Sequence, residues 1–142
     1  MRTYCLLKDH VKMESYLMHE TNIITRTIVG EFRISDHRLE IEIGRYIIPP
    51  KKPEEGICTF CNIMEDEIDC LMTCNLNSEK RRELFDVISS VKPIFNCLDT
   101  KSKFVYLMNE TNTPLNHAIN KFIENCLKSS YRAKQIREPA NT

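Results

Sequence analysis

Four of the seven cysteines in this 142-residue chain fall between Cys58 and Cys74, in the run CTFCNIMEDEIDCLMTC. The spacing is C-x2-C, eight residues, then C-x3-C. Thiols this close in sequence hold a zinc ion or pair as disulfides. Zinc takes four ligands at the corners of a tetrahedron, and thiolates serve well. A C-x2-C pair turns tightly enough for both sulfurs to reach one ion, and eight residues suffice to bring a second pair back. On a helical turn, Cys70 and Cys74 at i and i+4 share a face. Spacing alone therefore predicts an all-thiolate site of Cys58, Cys61, Cys70 and Cys74, with the acidic run Glu65-Asp66-Glu67 solvated in the loop between them.

Other uses of these thiols weigh against that reading. A redox-active C-x-x-C needs a strand before it and a helix starting at it, but here Ile48-Pro49-Pro50-Lys51-Lys52-Pro53 precedes it, a stiff extended linker. Cysteines with no metal are the plainer alternative. Cys5, Cys97 and Cys126 read as ordinary apolar positions. The opening MRTYCLLKDH has no apolar run of signal-peptide length, and no window approaches a membrane span. Seven cysteines without such a leader point to a reducing compartment, intracellular and either nuclear or cytoplasmic. Asn109-Glu110-Thr111 fits a glycosylation acceptor, which in that setting is a chance match.

Length suggests one domain able to bury about two-thirds of its unfolded surface. Twenty basic and 20 acidic residues balance, which disfavours a strongly basic protein but leaves room for a basic face. The apolar pattern is helical on both sides of the cysteines, so the expected fold is mainly α, about six helices interrupted by a zinc-knuckle loop. Residues 1–48 form an N-terminal helical segment, 49–76 the proline linker and knuckle, 77–137 the C-terminal helices, and 138–142 a frayed tail.

In the first segment, Asp9 caps a helix from Val11 to His19 with Met13, Tyr16 and Leu17 on one face. A second helix follows Asn22, with Ile24, Ile28 and Phe32 every four residues and Val29 beside them. Ser35-Asp36 marks a break. His37 to Ile47 alternates like a strand at Leu39, Ile41 and Ile43 but also fits a helix, which its cap and Glu/Arg content favour. Past the knuckle, Ser78 caps a helix with Leu84, Phe85 and Ile88 inward, ended by Pro93. Asp99 or Thr100 opens another with Phe104, Leu107 and Met108. The last helix has Thr113 as cap, Pro114 at its first position, and an unbroken stripe of Leu115, Ala118, Ile119, Phe122, Ile123, Cys126 and Leu127.

Signatures of catalysis are missing. The four histidines have no ligand spacing, there is no H-E-x-x-H, Walker or G-x-S-x-G sequence, and three glycines build few phosphate-cradling loops. A binding module is the expectation, not an enzyme.

The run FRISDHRLEIEIGRY, a short Pro/Lys linker and ICTFCNIMEDEIDCLMTC together resemble the C-terminal zinc-binding region of non-LTR retrotransposon polyproteins, downstream of the reverse transcriptase. RTYCLLK, KRRELFDVISS and KFVYLMNE extend the likeness over about residues 2–130. The family pattern is C-x-x-C, acidic residues, a His, and a Cys five positions later. That maps onto Cys58, Cys61, position 69 and Cys74, and position 69 here is Asp69. Either Cys70 replaces the missing histidine or Asp69 ligates through oxygen; a third outcome is a decayed site. The resemblance implies a zinc-dependent accessory to reverse transcription that binds RNA or DNA, with an upstream polymerase region of the same element as a possible partner. The basic residues available for phosphates are Arg33, Arg38, Arg45, Lys51, Lys52, Lys80, Arg81 and Arg82. The rival expectation is a protein-interaction or scaffold remnant with no nucleic-acid role.

Overall fold

Caps and turns divide the chain into six α-helices among the residues that the computed structural model describes, residue 7 and residues 13–137. They are α1 (Ser15–His19), α2 (Ile23–Arg33), α3 (Glu40–Tyr46), α4 (Ser78–Val91), α5 (Thr100–Met108) and α6 (Thr113–Arg137). The expected mainly α fold is thus observed. The Asp9 cap, Cys5, His10 and the 138–142 tail lie outside the described residues. No described helix is long and apolar enough to cross a membrane.

Helix α6 is the spine. Its cap is Asn112, whose side chain accepts the N–H of Leu115 at 3.2 Å, one residue before the expected Thr113. The predicted stripe does face inward: Leu115, Ile119, Phe122, Ile123, Cys126 and Leu127 are buried, and α1, α2 and α4 pack on this helix. One continuous core runs from Val29 and Phe32 through Leu39, Ile41 and Leu71 to Ile88, Phe104 and α6, so the knuckle shares a core with the helices on either side.

Helix α2 begins where expected, with Asn22 Oδ1 accepting the N–H groups of Ile24 and Thr25 at 3.0 and 3.1 Å. Its buried face, however, is Thr25, Val29, Phe32 and Arg33, while Ile24 is 66% exposed. Polar partners decide this rotation. Thr25 donates to Glu124 at 2.8 Å, and Arg33 donates to the Met108 carbonyl and to Glu14, both at 2.7 Å. Leaving a buried carboxylate or carbonyl unpaired costs more than exposing an isoleucine.

The cap of α4 is shifted as well. α4 is preceded by Asn77, which makes no side-chain cap and instead donates to the Cys70 carbonyl at 3.0 Å, so Ser78 is the first helical residue. Cys97, read as an ordinary apolar position, is exposed at the end of a 3-10 turn, while Cys126 is fully buried.

Helix α3 is capped from outside its own segment. The backbone of Glu65 accepts the Ile41 N–H at 3.2 Å and its carboxylate accepts the Glu40 N–H at 2.7 Å. This seats the knuckle loop against the first turn of α3. Gly56 makes the approach possible: a Cβ there would lie 2.9 Å from the Glu40 carbonyl carbon and the Ile41 nitrogen. Both are backbone atoms that cannot step aside. We expect Gly56→Ala to lower unfolding free energy in urea titration by about 1–3 kcal/mol.

A second electrostatic anchor is Glu124, buried in α6 and hydrogen-bonded by Thr25, Lys121 and Lys128. Burial alone would raise its pKa, but the bonds from Lys128, Thr25 and Lys121 outweigh it and hold the carboxyl at about 2, below the ordinary 4.5. A depressed carboxylate contributes stability above its unfolded pKa and loses it as pH falls through the folded one. Stability should therefore drop between about pH 4.5 and pH 2. Glu124→Gln should be less stable at pH 7 and show a shallower acid limb in urea midpoints measured across that range.

Candidate metal centre

The knuckle is built from a short hairpin and a widened helical turn. Ile57 and Met64 form an antiparallel bridge, and Asn62 takes a left-handed φ of 60° to close the hairpin. Asparagine tolerates that conformation better than most residues. The C-x2-C pair lies in the turn, with Cys58 N–H donating to the Ile63 carbonyl at 2.8 Å and Asn62 N–H to the Cys58 carbonyl at 3.0 Å.

Asp69 to Thr73 is wound as a π turn, closed by the Cys74 N–H donating to the Asp69 carbonyl at 2.8 Å. In a π turn, residues five apart are linked, where an α-helix links residues four apart. The extra residue changes which side chain stands beside Cys74. Asp69 comes into line with it, and Cys70 turns into the core, where its sulfur lies 3.7 Å from Ser130 Oγ. The expected Cys70 ligand is therefore corrected: the group that converges is Cys58, Cys61, Asp69 and Cys74, whose donor atoms all lie within 4.8 Å of one another.

Three observations bear on what this group can hold. The sulfurs of Cys58 and Cys74 are 3.8 Å apart, too far for a disulfide. Two thiolates about 2.3 Å from one zinc at a tetrahedral angle would be about 3.8 Å apart. Next, backbone N–H groups point at the sulfurs from two residues ahead. Phe60 donates to Cys58 Sγ at 3.4 Å, and the Ile63 and Leu76 backbones do the same for Cys61 and Cys74. Donors aimed at sulfur favour the thiolate, the form that binds metal.

The last is Asp69 itself. Oδ1 accepts from Thr73 Oγ1 at 2.8 Å and from Cys61 Sγ at 3.1 Å, while Oδ2 is buried with no hydrogen-bond partner. A buried carboxylate oxygen without a partner is costly, and a cation among three sulfurs would satisfy it. Burial pushes the Cys61 thiol well up, with the Ile63 N–H opposing, and raises Cys74 to about 11 despite the Leu76 N–H. Binding a divalent ion would offset that penalty and release the protons. The donor set of three sulfurs and one oxygen could hold a metal ion.

The acidic run expected to be solvated is mostly buried. Glu65 and Glu67 are each 2% exposed. Glu67 accepts from Ser35 Oγ at 2.6 Å and His37 Nε2 at 2.9 Å. His37 Nδ1 accepts the Leu39 N–H at 3.3 Å, which assigns the proton to Nε2. Ser35 occupies the left-handed position after α2, φ 62°, with the Asp36 N–H donating to the Glu31 carbonyl at 2.8 Å. Glycine usually fills that position; serine here supplies the hydroxyl for Glu67. Asp66 Oδ1 accepts the Asp69 N–H at 2.8 Å and so fixes the Asp69 backbone. Spacing could not reveal these supports. The S-x-H pair in FRISDH was their signal, and only its contact with Glu67 shows what it does.

The basic residues scatter. Arg33 is 3% exposed and committed to Met108 and Glu14, so it is removed from the phosphate-facing set. Arg81 is half-buried and donates to the carbonyls of Leu71 and Cys74, both at 2.7 Å, bracing the π turn. Arg45 is exposed but pairs with Glu42 at 2.9 Å, and Arg82 lies 3.8 Å from Glu79. Lys80 is half-buried, beside a groove between α4 and α6. Arg38, Lys51 and Lys52 are exposed. Comparison with known protein families, curated proteins and solved structures gives no match for this chain.

Zinc analysis of purified variants tests the ligand set. Cys70→Ser should keep about one zinc per chain, whereas Cys58→Ser, Cys61→Ser and Cys74→Ser should each lose it. Asp69→Ala should surrender zinc to a chelator concentration that the wild type resists, and Asp69→His should retain it.

Proposed function

We propose that this protein is a zinc-stabilised helical module that binds RNA or DNA, as its resemblance to retrotransposon C-terminal regions implies, and that the strand it takes is single. The observation that carries the zinc reading is the convergence of three cysteine sulfurs and an Asp69 carboxylate oxygen within 4.8 Å of one another, on a carboxylate whose Oδ2 is buried without a partner. Four protein donors fill a tetrahedron and leave no position for water or substrate, the arrangement of a structural rather than a catalytic zinc. The ion would lock the hairpin to the π turn. Its effect would spread through Glu65 to α3 and through Glu67 to Ser35 and His37.

Support for nucleic acid is the exposed set of Arg38, Lys51 and Lys52, with Arg45 between them in sequence. In a chain with no net charge, such contacts would be few and local. The rival reading, a protein-interaction surface, draws on exposed apolar residues beside the same linker: Tyr46 is 81% and Ile48 98% exposed, with Ile57 and Ile63 at 41% and 47%. Exposed apolar residues that gather into one patch mark contact surfaces.

Fluorescence anisotropy with labelled single-stranded RNA separates the two. Binding should weaken as salt rises, with a log–log slope reflecting about two to four phosphate contacts. Lys51→Ala with Lys52→Ala should reduce that slope by about one to two. No binding at low salt by the zinc-loaded protein would leave the interaction reading in its place.

A further inference from the structure

Two hollows flank a single pair of residues, Arg38 and Tyr131. The larger, about 370 Å³, is lined by Glu31, Asp36, His37, Arg38 and Tyr131. The smaller, about 220 Å³, is lined by Arg38, Ile43, Tyr131, Lys134 and Gln135. The larger lies in the range of about 300–1,000 Å³ that small-ligand sites occupy. The dividing pair is fixed, since the Arg38 N–H donates to Tyr131 Oη at 3.0 Å. The side chains of Glu31, Asp36 and Arg38 make no hydrogen bond or ion pair among the described residues. One cleft thus holds two unengaged carboxylates, one unengaged guanidinium and one aromatic ring.

We propose that the larger hollow receives one unpaired guanine of a single strand, an inference that rests on the nucleic-acid reading above. Carboxylates only accept hydrogen bonds. Among the bases, guanine alone presents two adjacent donors, N1–H and the N2 amino group, on its Watson–Crick edge. Adenine and cytosine each set an acceptor beside their amino donor, and uracil sets its one N–H between two carbonyls, so a carboxylate meets repulsion there. Unpaired bases are read on this edge and lie against aromatic or guanidinium groups. Glu31 or Asp36 supplies the acceptors and Tyr131 the apolar wall. Arg38 supplies the cation for the phosphate that leads toward the smaller hollow, where Gln135 offers an amide.

The cleft is also tied to the metal centre. His37 in its wall holds Glu67 at 2.9 Å, and Lys134 of the smaller hollow holds Glu65 at 2.5 Å. Both acids belong to the loop between the cysteine pairs. Zinc that orders that loop therefore orders both walls, and guanine selectivity should depend on metal although no base touches it.

The test compares zinc-loaded full chain with labelled (UUG)4, (UUA)4, (UUC)4 and U12 RNA, and with (TTG)4 DNA, at one salt concentration. Guanine-containing RNA should bind about tenfold or more tightly than the other three RNAs. Comparable preference in DNA would mean that the base and phosphate are read without the 2′-hydroxyl. Glu31→Ala with Asp36→Ala, both exposed positions, should erase the guanine preference while U12 binding is kept or raised by the lost negative charge. Arg38→Ala should weaken every strand, and Lys101→Ala none. Equal affinity for all four RNAs, or a preference that survives the double carboxylate variant, overturns the guanine site but keeps the nucleic-acid reading. Failure to bind any strand overturns both.

Discussion

The turn from Asp69 to Thr73 holds one residue more than an α-helical turn, and the candidate metal site depends on it. The i→i+5 bond between Cys74 and Asp69 decides that an oxygen rather than a fourth sulfur joins Cys58, Cys61 and Cys74. Cys70 takes the opposite direction and becomes core. Its thiol is pushed well above its ordinary pKa by burial, with Cys126 adding to the effect, which is the condition of an inert structural cysteine. Arg81 then closes the widened turn by donating to the Leu71 and Cys74 carbonyls, carbonyls that a regular helix would have satisfied in another way.

The knuckle is held to the helices by acids. Glu65 caps α3 with both its backbone and its carboxylate and pairs with Lys134 of α6, while Glu67 takes Ser35 and His37. Despite its burial, Glu67 keeps its carboxyl at about 2 through the His37 and Ser35 bonds. Buried carboxylates so fully paired specify one arrangement, because any slip would leave a charge without partners. The same logic operates at the other end of α6, where Glu20 is buried and accepts from the Asn22 backbone, His117 and Asn120.

Much of the helical layout was legible in the sequence, since apolar spacing reports which positions can face a core. The stripe of α6 and the Phe104, Leu107 and Met108 face of α5 follow it directly. On α2 the rule missed by one residue, because Thr25 and Arg33 go inward to meet polar partners that lie 99 and 75 residues away in sequence. Distant pairing of this kind leaves no local pattern. Arg33 and Arg81 were misplaced for the same reason: a basic residue in sequence does not disclose whether a carbonyl elsewhere will claim it.

What the sequence determined by itself was one half of the knuckle. C-x2-C keeps Cys58 and Cys61 together whatever the helices do, whereas the stretch from Cys61 to Cys74 could span about 45 Å if extended, so the third sulfur returns only because the Ile57–Met64 hairpin and the π turn bring it back. What the tertiary structure alone decided was the fourth corner. Asp69 and Cys70 are neighbours with equal access to the site by spacing. The choice between them came from the winding of one turn, itself set by packing against α6 and by the hydrogen bonds of Asp66, Thr73 and Arg81.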